Sequence, residues 1–69
     1  MSSLEKRSFS LAGHRTSIAL EPEFWAALEA LAGRRARSLA GLIIDLDATR
    51  VAEQPLASML RVHALQNQR

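Results

Sequence analysis

Apolar and polar positions alternate one by one through Arg15-Thr16-Ser17-Ile18-Ala19-Leu20, and behind Glu21-Pro22 the apolar spacing changes to that of a helix. The alternation predicts a strand over 14–20 with Thr16, Ile18 and Leu20 on one face and Arg15, Ser17 and Ala19 on the other. A lone strand leaves unpaired N–H and C=O groups along both edges. Its natural partner is the same strand of a second copy, paired antiparallel about a two-fold axis, with one face covered by helices and the other left for a ligand. Lys6-Arg7-Ser8-Phe9-Ser10-Leu11 also alternates. It reads either as an outer strand joined to 14–20 through a turn at Ala12-Gly13, or as a loose basic arm. A two-residue turn would set Leu11 opposite His14, Phe9 opposite Thr16 and Arg7 opposite Ile18, so that Phe9 and Leu11 share the apolar face. A three-residue turn would put them on the polar face. As an outer strand, 6–11 would make the dimer four-stranded, with Ser8, Ser10, Arg15, Ser17 and Ala19 outward.

Helical spacing follows. Pro22 opens a first helix over about 22–33, with Glu21 and Glu23 complementing its dipole and Phe24, Trp25, Leu28 and Leu31 as its apolar face. Gly33 is the expected stop, and Arg34-Arg35-Ala36-Arg37 the connection. Ser38 is an expected N-cap for a second helix reaching about Ala52, whose stripe of Leu39, Leu42, Ile43 and Leu46 is broadened by Ile44 and Val51. After Gln54-Pro55 a third helix is expected to about Gln66, with Leu56, Met59, Leu60, Val62 and Leu65 as apolar positions. The organisation is thus a tail at 1–5 expected to be disordered, a core at 6–53 and a C-terminal helical segment at 54–69.

At 69 residues and 48% hydrophobic content, the chain is small for a self-sufficient core, and it has no cysteine to staple it. A homodimer is therefore the default expectation. Of nine basic residues only Lys6 is a lysine, and the net charge is +2. The weight lies in position: Lys6, Arg7, Arg15, Arg34, Arg35 and Arg37 all precede the second helix, whereas Asp45, Asp47 and Glu53 lie in or just after it. Arginine suits bidentate contacts to phosphate and guanine. His14 and His63 have no ligand cluster around them, so no metal or other cofactor is expected; His14 reads as a turn residue and His63 as structural or interfacial. No nucleophile grouping or phosphate-binding glycine loop points to an enzyme. The chain shows neither a membrane span nor a signal core, which points to the cytoplasm.

The order of strand, helix, basic connection, serine cap and helix resembles the ribbon-helix-helix superfamily of dimeric DNA-binding proteins, the group of the Arc and MetJ type repressors. The runs from Ala12 to Leu28, Arg37-Ser38-Leu39 and Leu60-Arg61-Val62 are similar to a bacterial ribbon-helix-helix family of small proteins, over about residues 6 to 65. The resemblance implies a mainly α fold with a short β ribbon, to which this chain adds a C-terminal helix and, if residues 6–11 pair with 14–20, an additional N-terminal strand. It implies a homodimer with Ile18, Leu20, Trp25, Leu28, Leu39, Leu42, Ile43 and Leu46 in its core, acting as a small transcriptional regulator on double-stranded DNA. Base contacts would fall to Arg15, Ser17 and Ala19 in the major groove. Phosphate contacts would fall to Ser38 and Leu39 at the start of the second helix, with Arg34, Arg35 and Arg37, and with Lys6 and Arg7 from the N-terminal segment. The alternative is an antitoxin-like or adaptor module that dimerises through the same fold and holds a protein partner through residues 55–66, where Leu56, Met59 and Val62 would be exposed.

Overall fold

The computed structural model describes residues 3–68; Met1 and Ser2 of the tail expected to be disordered, and Arg69, fall outside them. Two strands, β1 (Glu5–Leu11) and β2 (His14–Leu20), are followed by three helices, α1 (Pro22–Arg34), α2 (Leu39–Asp47) and α3 (Leu56–Gln66). The strands form an antiparallel hairpin in which Leu11 faces His14, Phe9 faces Thr16 and Arg7 faces Ile18, the register of a two-residue turn. Ala12 and Gly13 both take positive φ, 51° and 83°, as the tight turn matching strand twist requires. Glycine does so freely, whereas Ala12 carries a steric cost of about 1 kcal/mol. Residues 6–11 are therefore a paired strand and not an arm. The strand begins at Glu5, inside the expected tail, because Glu5 pairs with Leu20 and its carbonyl accepts a 2.8 Å bond from the Trp25 indole N–H.

Pro22 opens α1 as its spacing predicts, but Gly33 does not end it. The stop comes at Ala36, which takes the left-handed conformation with φ 54°. Its N–H bonds the Gly33 carbonyl at 3.1 Å while that of Arg37 bonds the Ala32 carbonyl at 2.9 Å, the paired closure of a Schellman motif. Ser38 caps α2 by accepting from the Gly41 amide at 3.0 Å. This helix ends at Asp47, short of the expected 52. There the Thr49 hydroxyl takes the Leu46 carbonyl at 2.8 Å, and Arg50 bonds both the Asp47 carboxylate and the Gln54 carbonyl at 2.9 Å, so local side-chain bonds replace the helical ladder.

The helices cover one face of the hairpin. Leu11, Ile18 and Leu20 from the strands meet Trp25, Leu28, Leu31 and Ala32 of α1, Leu42, Ile43 and Leu46 of α2, and Met59, Leu60 and Ala64 of α3 in one buried cluster. Of the residues expected in the dimer core, Ile18, Leu20, Trp25, Leu28, Leu42, Ile43 and Leu46 lie in this cluster of one chain, with Leu39 packed at its margin. The third helix makes this closure, packing on α1, α2 and β2. Met59, expected to be exposed, is buried, and Leu56 is partly so; only Val62 of that trio stays open, at 42%. Ile44 and Val51 also remain exposed. Among the described residues no helix is long and apolar enough to cross a membrane.

Candidate nucleic-acid interface

The uncovered face of the hairpin carries Lys6, Ser8 and Ser10 from β1 and Arg15, Ser17 and Ala19 from β2. All are exposed except the half-buried Ala19. Register sets them in rows: Lys6 beside Ala19, Ser8 beside Ser17 and Ser10 beside Arg15. The central row is joined by a 3.1 Å bond between the Ser8 and Ser17 hydroxyls. Apart from the two cations every side chain here is small, so the sheet surface is flat and open to close approach by a second surface.

The same register decides which backbone groups are free. In a two-residue hairpin the residues flanking the turn exchange both bonds, and every second pair repeats this. Leu11–His14, Phe9–Thr16, Arg7–Ile18 and Glu5–Leu20 are then the bonded pairs. The N–H and C=O groups of Arg15, Ser17 and Ala19 point away from β1, along an edge that no other described strand occupies.

The structure sorts the basic residues sharply. Arg7, expected among the phosphate contacts, lies on the helix-facing side of β1. It bonds Glu5 at 2.6 Å and Glu29 at 2.9 Å, with its guanidinium carbon 4.9 Å from the Trp25 ring centre. The hydrogen bonds it donates to Glu29 and then Glu5 raise its pKa above the ordinary arginine value, so it is a fixed structural cation. Arg37 folds back over α2, where it grips both Asp45 carboxylate oxygens and the Gly41 carbonyl, each at 3.0 Å. Gly41 makes room for this, since a Cβ there would stand 2.9 Å from the guanidinium. Arg34 donates to the Asn67 carbonyl. Arg50 and Arg61 pair with Asp47 and Glu21. Lys6 and Arg15 on the open sheet face and Arg35 in the connection between α1 and α2 remain exposed without a polar side-chain partner among the described residues.

At the start of α2, the Ser38 hydroxyl oxygen accepts the capping bond and keeps its O–H as a donor, while Leu39 turns its side chain to the core. The sequence reasoning missed the clasp between Arg37 and Asp45. Its signal was present as a glycine standing midway, at position 41, between an arginine and an aspartate two helical turns apart. No group of His, Cys, Asp and Glu among the described residues is arranged to hold a metal.

Residues 4–68 match the family described as a ribbon-helix-helix domain. The fold is similar to that of an uncharacterised protein from Bordetella pertussis Tohama I, with a TM-score of 0.78 and 32% sequence identity over 94% of this chain. The match spans 55% of that protein's chain. No curated protein matches significantly. Domains of this family are generally non-enzymatic and typically form dimers that bind DNA, as regulators or antitoxin-like proteins. A short antiparallel ribbon feeding two helices across a Schellman turn and a serine cap, with a third helix closing the core, agrees with that match: the chain belongs to the ribbon-helix-helix domain family.

Proposed function

We propose that the protein is a cytoplasmic homodimer that binds double-stranded DNA as a small transcriptional regulator, joining two copies along the free edge of β2 and presenting the open sheet face to the duplex. The observation that carries this reading is the sorting of cations. Five arginines are tied to carboxylates or carbonyls, while Lys6 and Arg15 stand free on one flat, small-residue face. Arg35, also free, is the candidate for backbone charge near α2.

Pairing β2 with its copy about Ser17 uses the whole seven-residue strand and satisfies the outward N–H and C=O groups of Arg15, Ser17 and Ala19. It also brings two Arg15 side chains symmetrically to the middle of the sheet. Arg15 is the residue proposed to read base edges, through a bidentate contact of the kind made to guanine.

The experiment is a titration of labelled duplexes of differing sequence, followed by anisotropy. Arg15→Ala is expected to erase discrimination worth about 1–3 kcal/mol between preferred and other sites. Arg35→Ala is expected to weaken all sequences alike. Uniform loss in both variants would remove Arg15 from the reading role. The interaction-module alternative draws less support, because α3 contributes Met59, Leu60 and Ala64 to the core instead of holding them open for a partner.

A further inference from the structure

Resting on the dimer proposed above, we infer that β1 converts the ribbon from an element that inserts into the major groove into one that spans it, with the Lys6, Ser8 and Ser10 row on the sugar–phosphate backbones and Arg15 alone reaching the bases. Width decides between the two. Adjacent strands lie about 4.8 Å apart, so the order β1-β2-β2-β1 places the two outer strands about 14 Å apart. The major groove is only about 12 Å wide. Outer strands at that separation cannot descend between the phosphate rails and come to rest over them.

The side chains fit that placement. The open row of β1 is one lysine and two serines, a point charge and two hydroxyl donors, the chemistry of phosphate contact and not of base discrimination. Ser8 and Ser10 are short enough to let the sheet come close to the rails, and the flexible Lys6 side chain can lie along them. About a two-fold axis at Ser17, Lys6 and Ala19 of one copy continue into Arg15 and Ser10 of the other, and the middle row is serine throughout. Each of the two flanking rows thus offers a lysine at one rim and an arginine near the centre, and the middle row carries no charge.

Depth then narrows the set of readers. With β1 at rail height, β2 is held near the groove mouth, above a floor about 8.5 Å down. Ser17 and Ala19 are too short to reach base edges from there, whereas arginine has the needed length. The serine and alanine expected from the family pattern to touch bases serve here as low spacers.

The test uses the full chain and a duplex titrated between about 50 and about 200 mM salt. Lys6→Ala is expected to reduce the slope of log K against log salt by about 1.8, two contacts per dimer at about 0.9 each, without changing the ranking of sequences. Ser17→Ala is expected to leave slope and ranking unchanged, and circular dichroism checks that both variants fold. An unchanged slope in Lys6→Ala, or an altered ranking in Ser17→Ala, overturns the spanning geometry while leaving DNA binding intact. Absence of duplex binding by the wild-type chain at low salt overturns the DNA reading and this inference together.

Discussion

Lys6 and Arg7 are neighbours in sequence and opposites in structure, and the contrast extends to the two faces of the hairpin they stand on. On the covered face Arg7 is held by Glu5 and Glu29 and lies over Trp25, while Phe9, Leu11, Ile18 and Leu20 pack inward. On the open face Lys6 and Arg15 have no polar partner among the described residues, and their neighbours are serines and an alanine. One face therefore uses its charge to hold the fold, and the other leaves it available. A basic residue count cannot separate these roles; the two-residue period of a strand does, because moving one position along the chain moves the side chain to the other face.

The strongest way to break the comparison is to remove the anchor of the covered face. Trp25 is 1% exposed, stacks at 5.8 Å and a 36° tilt from Phe9, lies under the Arg7 guanidinium and bonds the Glu5 carbonyl. Trp25→Ala is expected to cost about 3–5 kcal/mol in denaturant unfolding. Amide exchange in β1 is expected to accelerate more than in β2, because β1 loses one of its two ties to α1, the other being the Arg7–Glu29 pair. A cost below about 1 kcal/mol, the scale of one net hydrogen bond, would mean that strand pairing alone holds the outer strand.

That anchor shows how far the sequence could be read. Given a hairpin, its register was legible, because a two-residue and not a three-residue turn puts Phe9 and Leu11 on the same face as Ile18, but whether 6–11 paired or hung as an arm was not. The serine cap and the opening proline were legible as local chemistry. What escaped was decided at longer range or against local preference. Trp25 reaches Glu5 across 20 positions, and this bond draws Glu5 into the strand. Gly33 reads as a helix stop, yet the stop is made by Ala36 in a conformation alanine disfavours, because the turn to Ser38 has to begin there. On the open face, Lys6 and Arg15 were legible as charges. Their freedom was not, since it depends on where the chain's carboxylates pair: Glu5, Glu21, Glu29, Asp45 and Asp47 all hold other arginines.

A gentler change sharpens the comparison by stabilising the hairpin without touching either face. Ala12 occupies a position where asparagine is favoured before glycine in this type of turn. Ala12→Asn is expected to raise unfolding stability by about 0.5–1 kcal/mol through relief of the positive-φ strain. Duplex affinity should stay the same if the open face alone makes the contact. A gain in stability accompanied by a loss of affinity would place the turn itself against the DNA.

The smallest effect tests whether paired cations elsewhere behave as Arg7 does. Arg61 joins α3 to the start of α1 through a 3.0 Å bond to Glu21, and its guanidinium carbon lies 5.8 Å from the Phe24 ring centre. A hydrogen bond from its own backbone amide, and then the Arg61 guanidinium, hold the Glu21 carboxyl below its ordinary value of 4.5. A carboxyl with a depressed folded-state pKa adds stability that is complete above the ordinary value and is lost as pH falls through the lowered one. Glu21→Gln should therefore reduce the unfolding midpoint modestly near neutrality, and its difference from wild type should vanish in acid. Lys6→Gln, with no partner to lose, should show no stability difference at either pH. A pH-dependent deficit in Lys6→Gln would reveal a carboxylate partner for the open face, and the division between structural and available charge would fail at the residue where it matters most.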